Sequence, residues 1–393
     1  MRIAYLTQSY PPMISGTANV VCTLAESMSA RGHDVLVIAA SDRNTAYRIY
    51  GPNLTIMRLK SHRNPFRVGQ RFISWPSREI TSALKDFSPD VVHLHDPLQT
   101  GIITLGYCKT HSIPSVITIH QIPWFVTSYL PVHHSVKELI EKALWLGYKW
   151  LLGRCQIVVA PTLTIAAYVK DAINIRVKVI SNGIDLDKFI PVKLPIEEQN
   201  LLRTQYHLPE NGPIILYVGR LDIDKKVHRV IEASEPVIKR TGASLLIVGD
   251  GTQRPALQKL IYSKHIDKDV RFTGYLTAKE ELSKIYRLSS IFVTASEIES
   301  QGIVILEAAA SGLPVVAVNS GALPEIIRNG ENGFLADRDD TRAMSRYIEA
   351  ILTDPVLAEK MRHATLRLIR QHDIEYTFRS YGIVYQDAQK LSV

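Results

Sequence analysis

Residues 291–318 read IFVTASEIESQGIVILEAAASGLPVVAV, a stretch in which two short apolar runs flank a polar loop and a helix-like segment. Ile291–Ala295 and Pro314–Val318 have the length and the β-branched content of buried strands. Ile303–Ser311 lies between them and is rich in residues that favour helices. A strand, a crossover helix and a second strand in this order predict a βαβ unit of a parallel sheet.

The same alternation continues along the chain, which predicts an α/β fold with two doubly wound, Rossmann-like domains in tandem. In the first half the strand-like runs are Arg2–Thr7, Asp34–Ala39, Val91–Leu94, Ser115–His120, Ile157–Ala160 and Val177–Ile180. In the second half they are Ile214–Val218, Ser244–Val248, Val270–Thr273, Ile291–Ala295 and Pro314–Val318. A chain of 393 residues is also long enough for two hydrophobic cores.

Residues 191–210 are rich in proline and contain no strand-like run, so we predict that they connect the two domains. The N-terminal domain then covers residues 1–190, and the C-terminal domain covers residues 211–374. The helix-like end of the chain, residues 375–393, is expected to pack back on the first domain.

The composition indicates a folded soluble protein, because the hydrophobic fraction of 46% and the charged fraction of 21% are close to globular averages. No apolar run has the length of a membrane span, and the start of the chain lacks a signal-peptide pattern, so we expect a cytoplasmic protein. The spacing of Cys22, Cys108 and Cys155 is that of neither a disulfide framework nor a zinc site.

The net charge of +8 is concentrated in the first half of the chain. Residues 1–185 contain 19 Lys and Arg against 11 Asp and Glu, whereas residues 186–393 contain 27 of each. A basic excess on one domain indicates a phosphate-bearing partner, which leaves nucleic acid, anionic lipid and phosphorylated substrates open.

Ligands of parallel sheets bind beyond the carboxyl ends of the strands. Residues with suitable chemistry follow predicted strands in both halves, so we expect two half-sites that face a central cleft: Gly16, His120, Arg220, Gly249–Gly251 and Glu299. Arg220 and Lys225 are suited to a diphosphate and to the charge that develops on it as a leaving group. A solvated basic loop is the alternative at this point.

Glu299 and Glu307 lie on either side of Gly302, with the predicted helix beginning between them. Carboxylates bind sugar hydroxyls, the free N–H groups of a first helical turn bind phosphate, and a glycine permits close approach of the backbone. A surface acid and an ordinary helical glutamate are the alternative interpretation of this spacing.

The segment Glu299–Glu307 and the Ala-Ala-Ala-Ser-Gly-Leu-Pro-Val-Val that follows resemble the E-x7-E signature of the family 4 retaining glycosyltransferases, which have the GT-B fold. The similarity extends over nearly the whole chain. Its other motifs, in the order expected for the family, are Tyr10-Pro11-Pro12 with Gly16, His95, Thr118–His120, Ser181–Asp185, Gly219-Arg220 with Lys225, Gly249–Gly251 and Pro324–Ile327.

The resemblance implies a role for each matching residue. Arg220 and Lys225, next to Gly219, bind the donor diphosphate, Glu299 contacts the donor sugar, and Glu307 holds the nucleotide ribose. Backbone N–H groups near Gly302, Ile303 and Val304 contact sugar and phosphate, and Arg271-Phe272-Thr273 corresponds to the base-binding stretch. His120 is directed to the transferred sugar and Gly16 to the phosphates, so the catalytic group is His120, Arg220, Lys225 and Glu299.

Three positions depart from the family pattern. Ser15-Gly16-Thr17 lacks the second glycine that is common there, and Lys226 stands where Gly or Asn is common. Ser300-Gln301-Gly302 replaces the usual Gly-Phe-Gly and is similar to the lipid-modifying members.

The resemblance also implies that the nucleotide-sugar is a co-substrate and that no metal or cofactor is obligatory, because the candidate diphosphate ligands are Arg220 and Lys225. Retention of configuration then follows from same-face attack, in which the departing phosphate helps to deprotonate the acceptor. The sequence does not distinguish a UDP-linked from a GDP-linked donor, although the lipid-type variant favours UDP and a hexose such as glucose.

The chemical class of the acceptor is predicted from residues 43–78, which contain no acidic residue. It holds cations for lipid phosphates and aromatic rings for a membrane interface, which we assign to Arg63, Phe66, Arg67, Arg71, Phe72 and Trp75. The stretches Ser61–Arg67 and Gln121–Phe125, with Trp124, resemble bacterial diacylglycerol glycosyltransferases. Residues 58–78, residues 136–152 or both are candidates for the membrane contact.

We therefore expect a cytoplasmic enzyme at the inner face of the cell membrane, with an anionic lipid surface as partner and no nucleic acid. A soluble sugar, a sugar phosphate or a polysaccharide remains open as acceptor, as does GDP-mannose as donor. A nucleic-acid-binding module without chemistry is the competing interpretation from another class, and the sequence carries no signal of oligomeric state.

Overall fold

The computed structural model describes residues 1–63, 71–73, 75–96, 99–128, 130 and 132–391. The chain divides into two compact units, one formed by Met1–Asn182 with Glu375–Val393 and the other by Gly183–Ile374. Both are α/β units with a largely parallel sheet, which confirms the predicted fold class.

The first unit is built on a sheet with the strand order β10-β9-β8-β7-β1-β2-β4-β3. Its strands are β1 (Arg2–Thr7), β2 (Asp34–Ala40), β3 (Tyr47–Tyr50), β4 (Leu54–Leu59), β7 (Val91–Leu94), β8 (Ser115–Thr118), β9 (Ile157–Ala160) and β10 (Lys178–Val179), and a separate hairpin contains β5 (Ser61–Arg63) and β6 (Arg71–Ile73). Its first helices are α1 (Gly16–Ala30), α2 (Ser77–Phe87), α3 (Gln99–Thr110), α4 (Pro123–Thr127), α5 (His134–Leu152) and α6 (Leu163–Ile173). The central strands are buried on both faces, as expected for parallel strands covered by helices.

The second unit contains a parallel sheet with the order β13-β12-β11-β14-β15-β16. The strands are β11 (Ile214–Val218), β12 (Ser244–Val248), β13 (Val270–Gly274), β14 (Ile291–Val293), β15 (Val315–Val318) and β16 (Gly333–Ala336). The helices are α7 (Ile196–Gln205), α8 (Val227–Thr241), α9 (Arg254–Ser263), α10 (Lys279–Leu288), α11 (Ile303–Ala310), α12 (Leu323–Ile326), α13 (Thr341–Thr353) and α14 (Pro355–Ile369). Single 3₁₀ turns lie at Ile223–Lys225 and Arg370–His372.

The boundary between the units differs from the predicted one. The backbone of Ile184 accepts a hydrogen bond from the N–H of Ile374 (3.0 Å) and donates to His372 (2.8 Å), so the second unit begins directly after Asn182. Residues 191–210, predicted as a connection, include α7, and Leu194 and Leu202 are buried in the core of the second unit.

The last helix, α15 (Ile374–Lys390), belongs to the first unit from Glu375 onward. The Tyr385 hydroxyl lies 2.9 Å from the Tyr5 hydroxyl and 2.9 Å from Nδ1 of His93, while the Tyr381 hydroxyl lies 2.9 Å from Oγ1 of Thr118. Buried polar groups stabilise a fold only when they are paired, so this network fixes α15 on β1, β7 and β8.

Candidate active site

In the second unit the strand order reverses between β11 and β14, which are neighbours in the sheet although the chain leaves them toward opposite edges. Such a switch point leaves a crevice at the carboxyl ends of the two strands. Gly219–Lys226 follows β11 and Thr294–Gly302 follows β14, so the fold itself brings the two predicted donor segments together.

Lys225 and Glu299 form an ion pair in this crevice. The Lys225 Nζ atom lies 2.6 Å from Oε1 of Glu299 and 3.3 Å from Oγ of Ser296. The two charged side chains are only 16% and 17% exposed. The neighbouring Lys226 pairs with Glu297 in the same way, so these lysines do not form a solvated basic loop.

Arg220 is also paired with acids. One of its terminal nitrogens contacts Asp222, and Nη2 lies 3.3 Å from Oδ2 of Asp224, whose side chain is 3% exposed. Sequence reasoning did not identify these carboxylates, although acids two and four residues after an arginine are a visible signal. The protein therefore orients the guanidinium before a ligand binds. Because of these acids, the net positive charge of the crevice is smaller than the sequence analysis predicted.

Gly249 allows the loops after β11 and β12 to pack backbone against backbone. Its φ is +136°, and a Cβ atom at this position would lie 1.9 Å from the carbonyl oxygen of Gly219. The Gly249 N–H donates to the carbonyl of Gly274 at 2.8 Å. A side chain at residue 249 would separate these loops, which explains why the Gly249–Gly251 motif requires glycine first.

Gly302 starts the helix that follows Glu299. It adopts the left-handed region with φ +81° and is the N-cap of α11. The first N–H groups of a helix have no partner within it, and here they include those of Ile303 and Val304. These donors and the positive end of the helix dipole lie at the switch point, as a phosphate or sugar oxygen requires.

Glu307 lies one turn further along α11. Burial raises the pKa of its carboxyl to about 7, although part of the side-chain surface stays accessible. The Tyr286 hydroxyl on α10 donates to Oε2 of Glu307 at 2.9 Å and lies 3.2 Å from the Val304 carbonyl oxygen. Sequence reasoning missed Tyr286, because the contact joins separate helices.

Phe272 and Thr273 are in β13, at the edge of the sheet and two strands from β11. With a strand spacing of about 4.8 Å, this places them roughly 10 Å from β11 across the sheet. The Arg254 guanidinium lies over the Phe272 ring, 5.4 Å from its centroid.

In the first unit His120 is buried beyond the end of β8. Its Nε2 lies 2.9 Å from Nδ1 of His95, and burial lowers the pKa of His120 to about 4. His120 is therefore a neutral imidazole near pH 7, which can form hydrogen bonds but carries no charge. Gly16 is the first residue of α1, whose N-cap Ser15 accepts a hydrogen bond from the Ala18 N–H at 3.0 Å.

The predicted acceptor surface is less basic than its sequence indicates. Arg71 donates to Oγ of Ser61 at 2.7 Å. Arg58 on β4 is 2% exposed and donates to backbone carbonyls, including that of Ala40 at 3.0 Å. Both guanidinium groups are therefore hydrogen-bonded within the protein. Arg63 and Trp75 are exposed and Trp124 is half-buried, whereas Phe66 and Arg67 lie outside the described residues.

Helix α5 carries an apolar stripe on its outer face. Tyr148, Leu151 and Leu152 are buried, whereas the opposite face exposes apolar side chains at spacings of three and four residues, namely Val136, Leu139, Ala143, Leu146 and Trp150. Leu139 is 69% and Leu146 70% exposed. Lys142 and Lys149 flank the stripe and are also exposed. An apolar face bordered by lysines is typical of a helix that lies in a membrane interface.

Two features are absent from the described ranges of the chain. None of their helices combines the length and apolar character of a membrane span. None of their His, Cys, Asp and Glu side chains form a group of three or more that is arranged to hold a metal ion.

Two family models match the chain and together cover most of it. Residues 14–188 match the model described as glycosyltransferase family 4, and residues 198–367 match the model described as glycosyl transferases group 1.

Two curated relatives show the range of chemistry in this group. An alpha-monoglucosyldiacylglycerol synthase of Acholeplasma laidlawii is 27% identical over 357 residues, which cover 86% of this chain and 86% of that protein. A GDP-mannose-dependent alpha-mannosyltransferase of Corynebacterium glutamicum is 30% identical over 356 residues, which cover 90% and 81%.

Among solved structures, the Anabaena protein HepE in complex with UDP-glucose has the same fold. The TM-score is 0.78 at 18% identity, and the match covers 98% of this chain and 99% of that chain.

Proposed function

Because the chain belongs to the family 4 glycosyltransferases, we propose that it transfers a hexose, with retention, from a nucleotide diphosphate sugar to a membrane lipid such as diacylglycerol. We further propose that the donor is UDP-linked, that the sugar is glucose and that no metal is obligatory. The observation that carries the lipid assignment is the exposed apolar stripe of α5, in the unit that we predict to bind the acceptor.

The donor assignment is supported by the chemistry of the crevice between β11 and β14. Arg220 and Lys225 supply cations for the diphosphate, and the first turn of α11 supplies N–H donors. Glu299 accepts from sugar hydroxyls and Glu307 from ribose hydroxyls. His120 and Gly16 are assigned to the donor on the resemblance alone.

These groups favour a same-face mechanism. As the bond between the anomeric carbon and the diphosphate oxygen breaks, negative charge develops on the diphosphate, where Arg220 and Lys225 stabilise it. The acceptor hydroxyl attacks from the same face, and its proton passes to the departing phosphate. This scheme needs neither a metal ion nor a protein nucleophile.

UDP-glucose and diacylglycerol are supported by relatives. The Acholeplasma enzyme is named for a glucosylated diacylglycerol, and the HepE structure contains UDP-glucose. The test is a matrix of radiolabelled UDP- and GDP-sugars against diacylglycerol vesicles, sugar phosphates and oligosaccharides. We expect labelled glycolipid from UDP-glucose. Transfer to a soluble acceptor at a rate equal to or above that on diacylglycerol contradicts the lipid assignment.

The membrane face has a separate test, which is flotation with vesicles of phosphatidylglycerol and phosphatidylcholine. Leu146→Glu and Leu139→Glu place charges in the stripe of α5 and are expected to abolish flotation. Leu201→Glu is the matched control, because Leu201 is 66% exposed but lies on α7 in the other unit. Flotation that survives both α5 substitutions excludes α5 as the membrane contact.

A GDP-mannose donor is the second candidate, supported by the 30% identity to the Corynebacterium enzyme. The same matrix decides between the two, since mannose transfer from GDP-mannose without glucose transfer from UDP-glucose replaces the first proposal.

A further inference from the structure

The first unit has a switch point of its own, between β1 and β7. A pocket of about 110 Å³ opens there, lined by Gln8, Phe72, Ile73, Gln99 and Thr100. A single water molecule needs roughly 10–15 Å³ in the same measure, so the pocket has room for a group of several heavy atoms.

The lining residues come from the segments that the topology brings to this point. Gln8 follows β1, Gln99 and Thr100 open α3 after β7, and Phe72 and Ile73 belong to β6. The carboxyl ends of β1 and β7 are where an open parallel sheet binds its ligand. Of these five residues, sequence reasoning named only Phe72, as a membrane-facing ring.

The chemistry of the lining selects an uncharged ligand. Phe72 and Ile73 form an apolar wall, and the side chains of Gln99 and Thr100 offer an amide and a hydroxyl. The five lining residues within the described part of the chain carry no charge, so they offer a phosphate or a carboxylate no counter-ion in exchange for its hydration. An alcohol with an attached hydrocarbon matches both walls.

The pocket is held in place by hydrogen bonds on its polar side. Nε2 of Gln8 donates to the backbone carbonyl of Arg71 at 2.6 Å, which ties the loop after β1 to β6. Oδ2 of Asp96 accepts from the Gln8 N–H and from Oγ1 of Thr7, the latter at 3.2 Å. Asp96 is therefore a positioning residue for Gln8, and the pocket exists before a ligand binds.

We propose that this pocket binds the hydroxyl end of an uncharged glycerolipid acceptor, with the glycerol hydroxyl on Thr100 and Gln99 and the first methylenes of an acyl chain against Phe72 and Ile73. The assignment rests on the proposed lipid glycosyltransferase function and names the acceptor site for it. The anionic membrane lipids then do not react, and the lipid that accepts the sugar is uncharged.

Kinetics of the full chain test the proposal with UDP-glucose and dioleoylglycerol in mixed vesicles. Thr100→Val removes one hydrogen bond, and Phe72→Ala removes one apolar wall. Each is expected to raise the KM for dioleoylglycerol by about three- to tenfold, the range for one hydrogen bond or a few buried methylenes, with less than about a twofold change for UDP-glucose. Tyr50→Ala is the control, because Tyr50 is 72% exposed on β3 and outside the pocket.

Photocrosslinking gives a readout that does not depend on transfer. The probe is a diacylglycerol with a diazirine on the acyl chain near the ester, and adducts are mapped by mass spectrometry. Adducts in β6 or the start of α3, reduced in Phe72→Ala, support the pocket even if the donor differs from UDP-glucose. Adducts elsewhere with intact lipid transfer overturn the pocket but not the function. Absence of both adducts and lipid transfer overturns both.

Discussion

The Nζ atom of Lys225 lies 2.6 Å from Oε1 of Glu299, so a cation and an acid that we assign to the donor neutralise each other across the switch point. Both side chains are more than four-fifths buried. A charge in such a position is costly without its partner, so under the proposed function contacts to diphosphate and sugar have to compensate wherever donor binding breaks this ion pair.

A double-mutant cycle on this pair is the first prediction. Lys225→Met and Glu299→Gln are each expected to lower the free energy of unfolding by about 2 kcal/mol, because each leaves one group without its partner. The double mutant is expected to cost clearly less than the sum of the two, as measured by urea unfolding. Strict additivity would show that the pair contributes no coupling energy.

The second prediction concerns Glu307 and pH. Because the raised pKa of its carboxyl is about 7, the carboxylate that we propose to bind ribose is lost below that pH, and donor affinity should fall from about pH 8 to about pH 6. Glu307→Gln should remove this dependence, and Tyr286→Phe should move the midpoint upward, because the tyrosine hydrogen bond lowers the carboxyl pKa. Titration calorimetry with a nucleotide-sugar measures both.

The stability of the fold should change with pH in the direction opposite to that of donor affinity. A carboxyl whose folded pKa lies above the ordinary 4.5 contributes stability that is complete below 4.5 and is lost as pH rises through about 7. Glu307→Gln should therefore raise the melting temperature at about pH 8 while it weakens donor binding. A lower melting temperature would show that the carboxylate stabilises the fold.

Acid sensitivity of the first unit is the third prediction. Burial lowers the pKa of His93, His95 and His120 from the ordinary 6.5. Their neutral forms contribute stability above pH 6.5 that is lost as pH falls, with a slope of at most about 1.4 kcal/mol per pH unit for one such group. Urea unfolding across this range should show the slope, and His95→Asn should reduce it. An unchanged slope would remove His95 from the titrating set.

The proximity of the segments that we assign to the donor follows from the sequence, because its local pattern and the topology agree. The runs that flank Ile303–Ser311 form the parallel strands β14 and β15, and the pairing of β14 with β11 places Arg220 and Glu299 at one crevice. The sequence patterns did not predict β4 and β16. β4 pairs antiparallel with β3 without a helix between them, and β16 is only four residues long and begins with glycine.

The contacts that the sequence could not predict are tertiary. Arg58 looks like part of a basic surface, yet its guanidinium is buried against backbone carbonyls. The contact between Tyr286 and Glu307 joins two helices separated by a strand and leaves no local signal. The sequence of α5 shows an amphipathic pattern, but only the burial of Tyr148 and Leu151 shows which of its faces is exposed.

The fourth prediction tests the backbone contact at Gly249. Gly249→Ala should destabilise the second unit by several kcal/mol, because the added Cβ would lie 1.9 Å from a carbonyl oxygen and the φ of +136° disfavours a side chain. Gly382→Ala is the matched control, since nothing lies within 4 Å of its added Cβ and helical alanine is favoured over glycine. Equal melting temperatures for the two variants would refute the close packing of the loops.

The proposed reaction is tested most directly by the initial rate at which labelled glucose from UDP-glucose enters chloroform-soluble product in diacylglycerol vesicles. The wild type and the control Arg240→Ala, which removes an exposed arginine of the same unit, should form glucosyl diacylglycerol, faster on anionic than on neutral vesicles. Arg220→Ala should lower the rate by about 100- to 1,000-fold. A full rate in Arg220→Ala, or label that enters only water-soluble product whatever the vesicle composition, would contradict the proposed function.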